Sequence, residues 1–260
     1  MCKTIAVSNL KGGVGKTMTA ASLSAGLARQ GKRTLAVDCD SQHSLTVSFG
    51  VSEPHKLTNT LATAMMRVIN DDEFEPTAGI TRHSEGADLL PANSGLTGVE
   101  LALVQAMGRE TILRQYVEKL KPSYDYIIFD CAPILGLLTI NALAAADSVI
   151  VPVAPKVLDA KGMELLLKSI AQIRRQINPA LAIEGILLTL VESRAKLTRE
   201  VTTSIESAYG GKIRIFKESV PRSVKAAETS GLGVSIFSHD PHGRVASAYA
   251  ALTGEVLRCE

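Results

Sequence analysis

Tryptophan is absent from this chain, and only 4% of its 260 residues are aromatic. Stacking platforms for nucleic-acid bases are therefore not expected. Charge of one sign is also missing: 28 Lys and Arg against 26 Asp and Glu leave a formal +2. That balance excludes a strongly basic nucleic-acid protein but allows a local basic patch. No apolar run reaches the ~18 residues of a membrane helix. The N-terminus enters a β-branched run directly, so no signal peptide and a cytoplasmic location are expected. The cysteines, Cys2, Cys39, Cys131 and Cys259, form no C-x-x-C pair. Cys39 and Cys131 fall at expected strand ends and read as small buried thiols of a reduced protein. The histidines show no metal-ligand spacing, and no repeat, low-complexity tract or linker divides the chain, so residues 1–260 are expected to form one domain. Hydrophobic residues make up 46% of the chain, enough to cover both faces of a sheet.

What the sequence does have is concentrated near its start. Thr4-Ile5-Ala6-Val7 reads as a buried strand, and Thr19 to Arg29, rich in Ala and Leu and followed by Gly31, reads as a helix with its C-cap. Between them lies Lys11-Gly12-Gly13-Val14-Gly15-Lys16-Thr17. Strand, glycine-rich turn and helix in that order form a phosphate-binding loop, whose backbone N–H groups and helix N-terminus face an anion. In it Lys16 reaches the β- and γ-phosphates of ATP and the Thr17 hydroxyl ligates Mg²⁺. The pattern G-x-x-x-x-G-K-[ST] is not met, because its first glycine falls at Leu10; a second lysine, Lys11, opens the loop instead.

Two further carboxylate positions end apolar strands. Arg33 to Asp38 runs into Asp38-Cys39-Asp40-Ser41-Gln42, where one acid could orient an attacking water and the other hold a metal's water shell. Tyr126-Ile127-Ile128-Phe129-Asp130 is a buried strand whose terminal acid suits a water-bridged Mg²⁺. Other expected elements are helices over 57–69, 101–120 and 159–176, strands over 87–92, 147–153 and 183–191, and a closing helix to Leu257. Arg194, Lys196, Arg199, Arg222 and Lys225 read either as ordinary solvated cations or as a stripe that meets DNA phosphates without sequence preference.

The lysine-opened loop resembles the deviant Walker-A ATPases, the family of ParA/Soj partition proteins, MinD and the nitrogenase iron protein. The resemblance runs from Thr4 to about Val256. It includes Asp38 to Gln42 against D-x-D-P-Q, Cys131 to Leu143 against D-C-P-P-S-L-G-L-L-T-x-N-A-L, and Val220 to Lys225 against I-P-R-N-V-R. It implies a doubly wound, mostly parallel α/β sheet with helices on both faces. It also implies an ATP-sandwich homodimer in which Lys11 reaches the partner's phosphates, and a slow ATPase whose hydrolysis residue is Asp40. Nucleotide contacts are implied for Gly12, Gly13, Val14, Gly15, Lys16, Thr17 and Met18, with Pro221 and Arg222 on the adenine side. Metal contacts are implied for Thr17, Asp40 and Asp130, a γ-phosphate switch for 131–143, and non-specific DNA contacts for Arg194 and Lys225. A ParB-like centromere-binding protein is the implied partner, with the ATP form on the nucleoid. The chain departs from the pattern at Met18, Ser41, His43, Ala132 and Ile134, and lacks Q-C-E-Y after the strand ending at Val153. Its rivals are a MinD-like membrane-positioning ATPase, for which the end from Gly254 is neither basic nor long enough, and a P-loop synthetase or amidoligase.

Overall fold

The computed structural model describes residues 1–155, 159–192 and 196–258. Apolar runs with no polar alternation predict strands covered on both faces, and the observed β1 (Lys3–Val7), β2 (Thr34–Cys39), β5 (Tyr126–Cys131) and β6 (Ser148–Val153) are buried almost throughout. With β3 (Thr81–Arg82), β4 (Asp88–Leu90) and β7 (Ala182–Leu188) they form one sheet in the order β3-β4-β2-β5-β1-β6-β7. Every pairing is parallel except β3 with β4. Side chains alternate between two cores. Ile5, Val7, Tyr126 and Ile128 face α1 (Lys16–Arg29) and α11 (Arg244–Leu257), whereas Ala6, Ile127 and Phe129 face the helices of the opposite layer. That layer includes α3 (Leu61–Ile69), α4 (Leu96–Gln105), α5 (Ile112–Leu120), α6 (Leu137–Ala145) and α7 (Asp159–Gln176). The doubly wound α/β expectation is borne out.

Three expected elements differ from the structure. The single helix over 101–120 is two, because Gly108 takes the left-handed conformation (φ 62) and its carbonyl accepts both the N–H and the hydroxyl of Thr111. Asn141 on α6 holds the break, accepting from Leu113 N–H at 3.0 Å and donating to the Arg109 carbonyl at 2.7 Å. The helix expected over 57–69 starts only at Leu61, behind an extended Thr60. The strand over 183–191 ends at Leu188, since Leu190 is left-handed (φ 53), and Val191 instead bridges Pro221. The segment before Pro221 runs along β7: Phe216 N–H donates to Ile186, and Val220 N–H to Leu188.

Two short elements frame the upper rim of the sheet, α2 (Ser44–Ser48) and α9 (Val224–Leu232). Their C-terminal ends meet glycine to glycine: a Cβ built on Gly233 overlaps the Gly50 Cα and lies 2.9 Å from its nitrogen. Gly233 is also left-handed (φ 65). Gly233→Ala therefore combines backbone strain with a clash no rotamer relieves. It should cost about 3 kcal/mol, read as a lowered denaturant midpoint. An unchanged midpoint would mean that this contact does not hold α2 to α9.

Candidate functional site

β1 lies between β5 and β6, so the loop after it emerges at the carboxyl ends of the strands where the chain's winding reverses. Gly13 and Gly15 adopt positive φ (70 and 82), which turns the backbone tightly and brings Gly15 to the N-cap of α1. That helix has no side-chain cap and no acid in its first turn. Its first N–H groups are thus free of a side-chain acceptor and favour an anion. Two buried side chains fix the loop. Asn9 accepts from Lys11 N–H at 3.1 Å and donates to the Pro152 carbonyl at 2.7 Å, and Thr189 donates to the Val14 carbonyl at 2.7 Å. Sequence reasoning missed both, since nothing near Thr189 in the chain signals a contact with residue 14.

Lys16 is 7% exposed and points back across the loop, donating to the Lys11 carbonyl at 2.9 Å. Burial lowers its pKa, opposed by the charge of Asp130. Asp130, next to last in β5, is 1% exposed, and neither carboxylate oxygen has a hydrogen-bond partner. Burial, with Asp38 beside it, pushes its pKa well up, while nearby Thr17 and Lys16 pull the other way. The Thr17 hydroxyl lies close by, outside hydrogen-bond geometry. An unpaired buried carboxylate is costly, and here it faces the lysine and hydroxyl of the phosphate loop. The donor set, Thr17 and a carboxylate, fits a hard cation with oxygen ligands.

Asp40 follows β2, partly exposed, with its Oδ1 accepting Gln42 N–H at 2.9 Å. Its turn passes through His43, which sits in the left-handed region (φ 47) that a glycine would occupy without strain. A cleft of about 520 Å³ joins these parts, lined by Gly13, Lys16, Thr17, Asp40, Ser48 and Ser230 among others, and includes Gly12, Gly15, Met18 and Pro133. Its size suits a ligand of nucleotide class. Pro221 and Arg222 lie outside this lining; Arg222 is ion-paired with Glu192 at 2.8 Å. Lys225 is paired with Asp240 at 2.8 Å, and Arg194 lies outside the described residues. Cys39 and Cys131 are buried, and burial pushes both thiols up, which suits inert packing groups. Among the described residues no cluster of His, Cys, Asp and Glu forms a metal site of three or more such ligands.

A family model described as an AAA domain matches residues 2–183. Over 256 residues the chain is 38% identical to the sporulation initiation inhibitor protein Soj of Bacillus subtilis, with 98% of each chain covered. It is equally 38% identical to the chromosome partitioning protein ParA of Myxococcus xanthus, over 98% of this chain and 88% of that one. The chain belongs to the ParA/Soj family of P-loop ATPases. Among solved structures, a cobyrinic acid a,c-diamide synthase from Mycobacterium smegmatis with bound ADP and magnesium superposes with a TM-score of 0.84. It is 36% identical, with 99% of this chain and 95% of that one covered. Membership in the family accounts for the lysine-opened loop, and no helix among the described residues is long and apolar enough to cross a membrane.

Proposed function

We propose that this protein is a DNA-partition ATPase that uses MgATP as an assembly switch. The observation that carries the reading is the orphaned Asp130 carboxylate beside Lys16, Thr17 and an uncapped helix N-terminus, in a chain 38% identical to ParA and Soj proteins. Backbone N–H groups from Gly13 to Thr17 and the Lys16 ammonium bind the phosphates. Thr17 and Asp130 would hold Mg²⁺, and the ion would offset charge on the phosphates. Asp40 orients the attacking water for slow hydrolysis, and Lys11 reaches into the site of a second copy. Pairing two copies unites Arg194 and Lys225 into a sequence-independent DNA surface. Contact with a ParB-like partner accelerates hydrolysis and releases the dimer. Lys225 must leave Asp240 or use its remaining N–H donors to meet a phosphate, and Pro221 and Arg222 close the adenine side.

Retention on random-sequence duplex DNA, with ATP, ADP or no nucleotide and at two salt concentrations, tests this. Binding should require ATP, weaken steeply with salt, and vanish in Arg194→Glu. The relative named as a cobyrinic acid a,c-diamide synthase favours a second reading, an ATP-dependent amide-forming enzyme. DNA retention absent in every nucleotide state, with ATP turnover that requires a carboxylic acid substrate, would select it.

A further inference from the structure

Asp130 has a counterpart on the neighbouring strand with the opposite surroundings. Asp38 pairs in register with Asp130 and is equally buried, at 0% exposure. Its oxygens are taken up inside the chain. One accepts the N–H of Asp40 at 3.1 Å; the other accepts the N–H of Thr46 at 2.8 Å and its hydroxyl at 2.7 Å. The same hydroxyl accepts the N–H of Ala92 at 2.8 Å, in the loop between β4 and α4. Four hydrogen bonds thus run in one chain from Asp40 through Asp38 and Thr46 to Ala92. Neither oxygen of Asp130 has a partner, whereas both oxygens of Asp38 are engaged within the chain.

We propose that Asp38 is a positioning residue for hydrolysis, holding the turn 40–46 so that Asp40 faces the nucleotide. Thr46 keys that turn to the loop leading into α4. The inference rests on the reading of Asp40 as the hydrolysis residue. Within itself the turn is held only by short-range contacts: Gln42 N–H on the Asp40 carboxylate, His43 N–H on the Asp40 carbonyl, and the His43 Nδ1 at 3.1 Å from the Ser41 carbonyl, with His43 left-handed. A strained backbone persists only where its surroundings over-determine it, and here Asp38 and Thr46 supply that determination. Position matters because a catalytic group displaced by ~1 Å can lose on the order of 100-fold in rate. Thr46 must both donate and accept, which a hydroxyl does and a methyl cannot.

The test compares Thr46→Val, Thr46→Ser, Asp38→Asn and Asp40→Ala for ATP turnover, for affinity toward a fluorescent ATP analogue, and for thermal unfolding. Thr46→Val keeps the side-chain shape, so it should fold. It should lower kcat about tenfold while analogue affinity changes less than about twofold. Thr46→Ser should restore turnover, and Asp38→Asn with Thr46→Val should lose no more than the worse single variant, because both break one unit. Turnover lost in Asp40→Ala but unchanged in Thr46→Val would overturn the positioning role alone. So would a parallel fall of kcat and affinity that Thr46→Ser does not repair. Turnover retained in Asp40→Ala would overturn the reading of Asp40, and with it the route by which Asp38 acts.

Discussion

Replacing Lys16 by alanine should abolish measurable ATP binding while leaving the fold intact. Lys16 is a buried ammonium that donates to the Lys11 carbonyl, with burial lowering its pKa. Its removal relieves a desolvated charge and leaves one loop carbonyl without a donor. These effects oppose each other, so thermal stability should change by less than about 1 kcal/mol. Toward ATP nothing compensates. A charge-assisted bond to phosphate contributes about 1.5–3 kcal/mol, and two such bonds lost should weaken affinity at least about 100-fold. Titration with a fluorescent ATP analogue reads this directly. Binding within tenfold of the parent, in a protein that melts normally, would show that the glycine loop and helix N-terminus suffice and that Lys16 has another task.

Asp130→Asn should produce opposite changes in stability and turnover. The parent carboxylate is buried and unpaired, its pKa raised by burial and by Asp38. A raised folded-state pKa means that the folded chain holds the proton more tightly than the unfolded one, whose value lies near 3.8. Its stabilisation is therefore complete below that pH and is lost as pH climbs through the folded value. Asparagine has no such loss. Without nucleotide and with chelator, the variant's melting temperature should exceed the parent's by an amount that widens from about pH 4 to pH 7. The gain should be a few degrees, at about 2–4 °C per kcal/mol for a chain of this size. Magnesium-dependent turnover should meanwhile fall by about two orders of magnitude, since the site loses a buried, unpartnered carboxylate beside Thr17. A variant less stable than the parent at pH 7 would show that Asp130 has a partner in the folded state and is not held open for a cation.

The parts of this site that were legible in the sequence are those built from consecutive residues. The run from Lys11 to Thr17 could be placed between strand and helix because glycines, a β-branched run and an Ala/Leu helix adjoin one another. Asp130 stood out because a carboxylate interrupts an apolar run. Parts made by long-range contact were not legible. Asn9 meets Pro152, Thr189 meets Val14, and Asp38 reaches Ala92 through Thr46, each joining segments that only the sheet order brings together. The break between α4 and α5 belongs with them: what fixes it is Asn141, whose amide meets the Arg109 carbonyl from a helix 32 residues further on. The Arg222–Glu192 and Lys225–Asp240 pairs also lay beyond sequence reasoning, which saw the cations without the acids that meet them.

The strip of chain that follows β7 has a bearing on how this molecule behaves in a crowded solution. An exposed sheet edge invites any passing strand to add to it. On one side of this sheet the last strand is only Thr81–Arg82, antiparallel and carrying a charge. On the other, the backbone from Arg214 to Arg222 satisfies Ile186, Leu188 and Val191 before a stranger can. Both margins are thus blunted against uninvited β-pairing. The pairing of copies proposed above would run through the nucleotide site, leaving this backbone route to fibres unused.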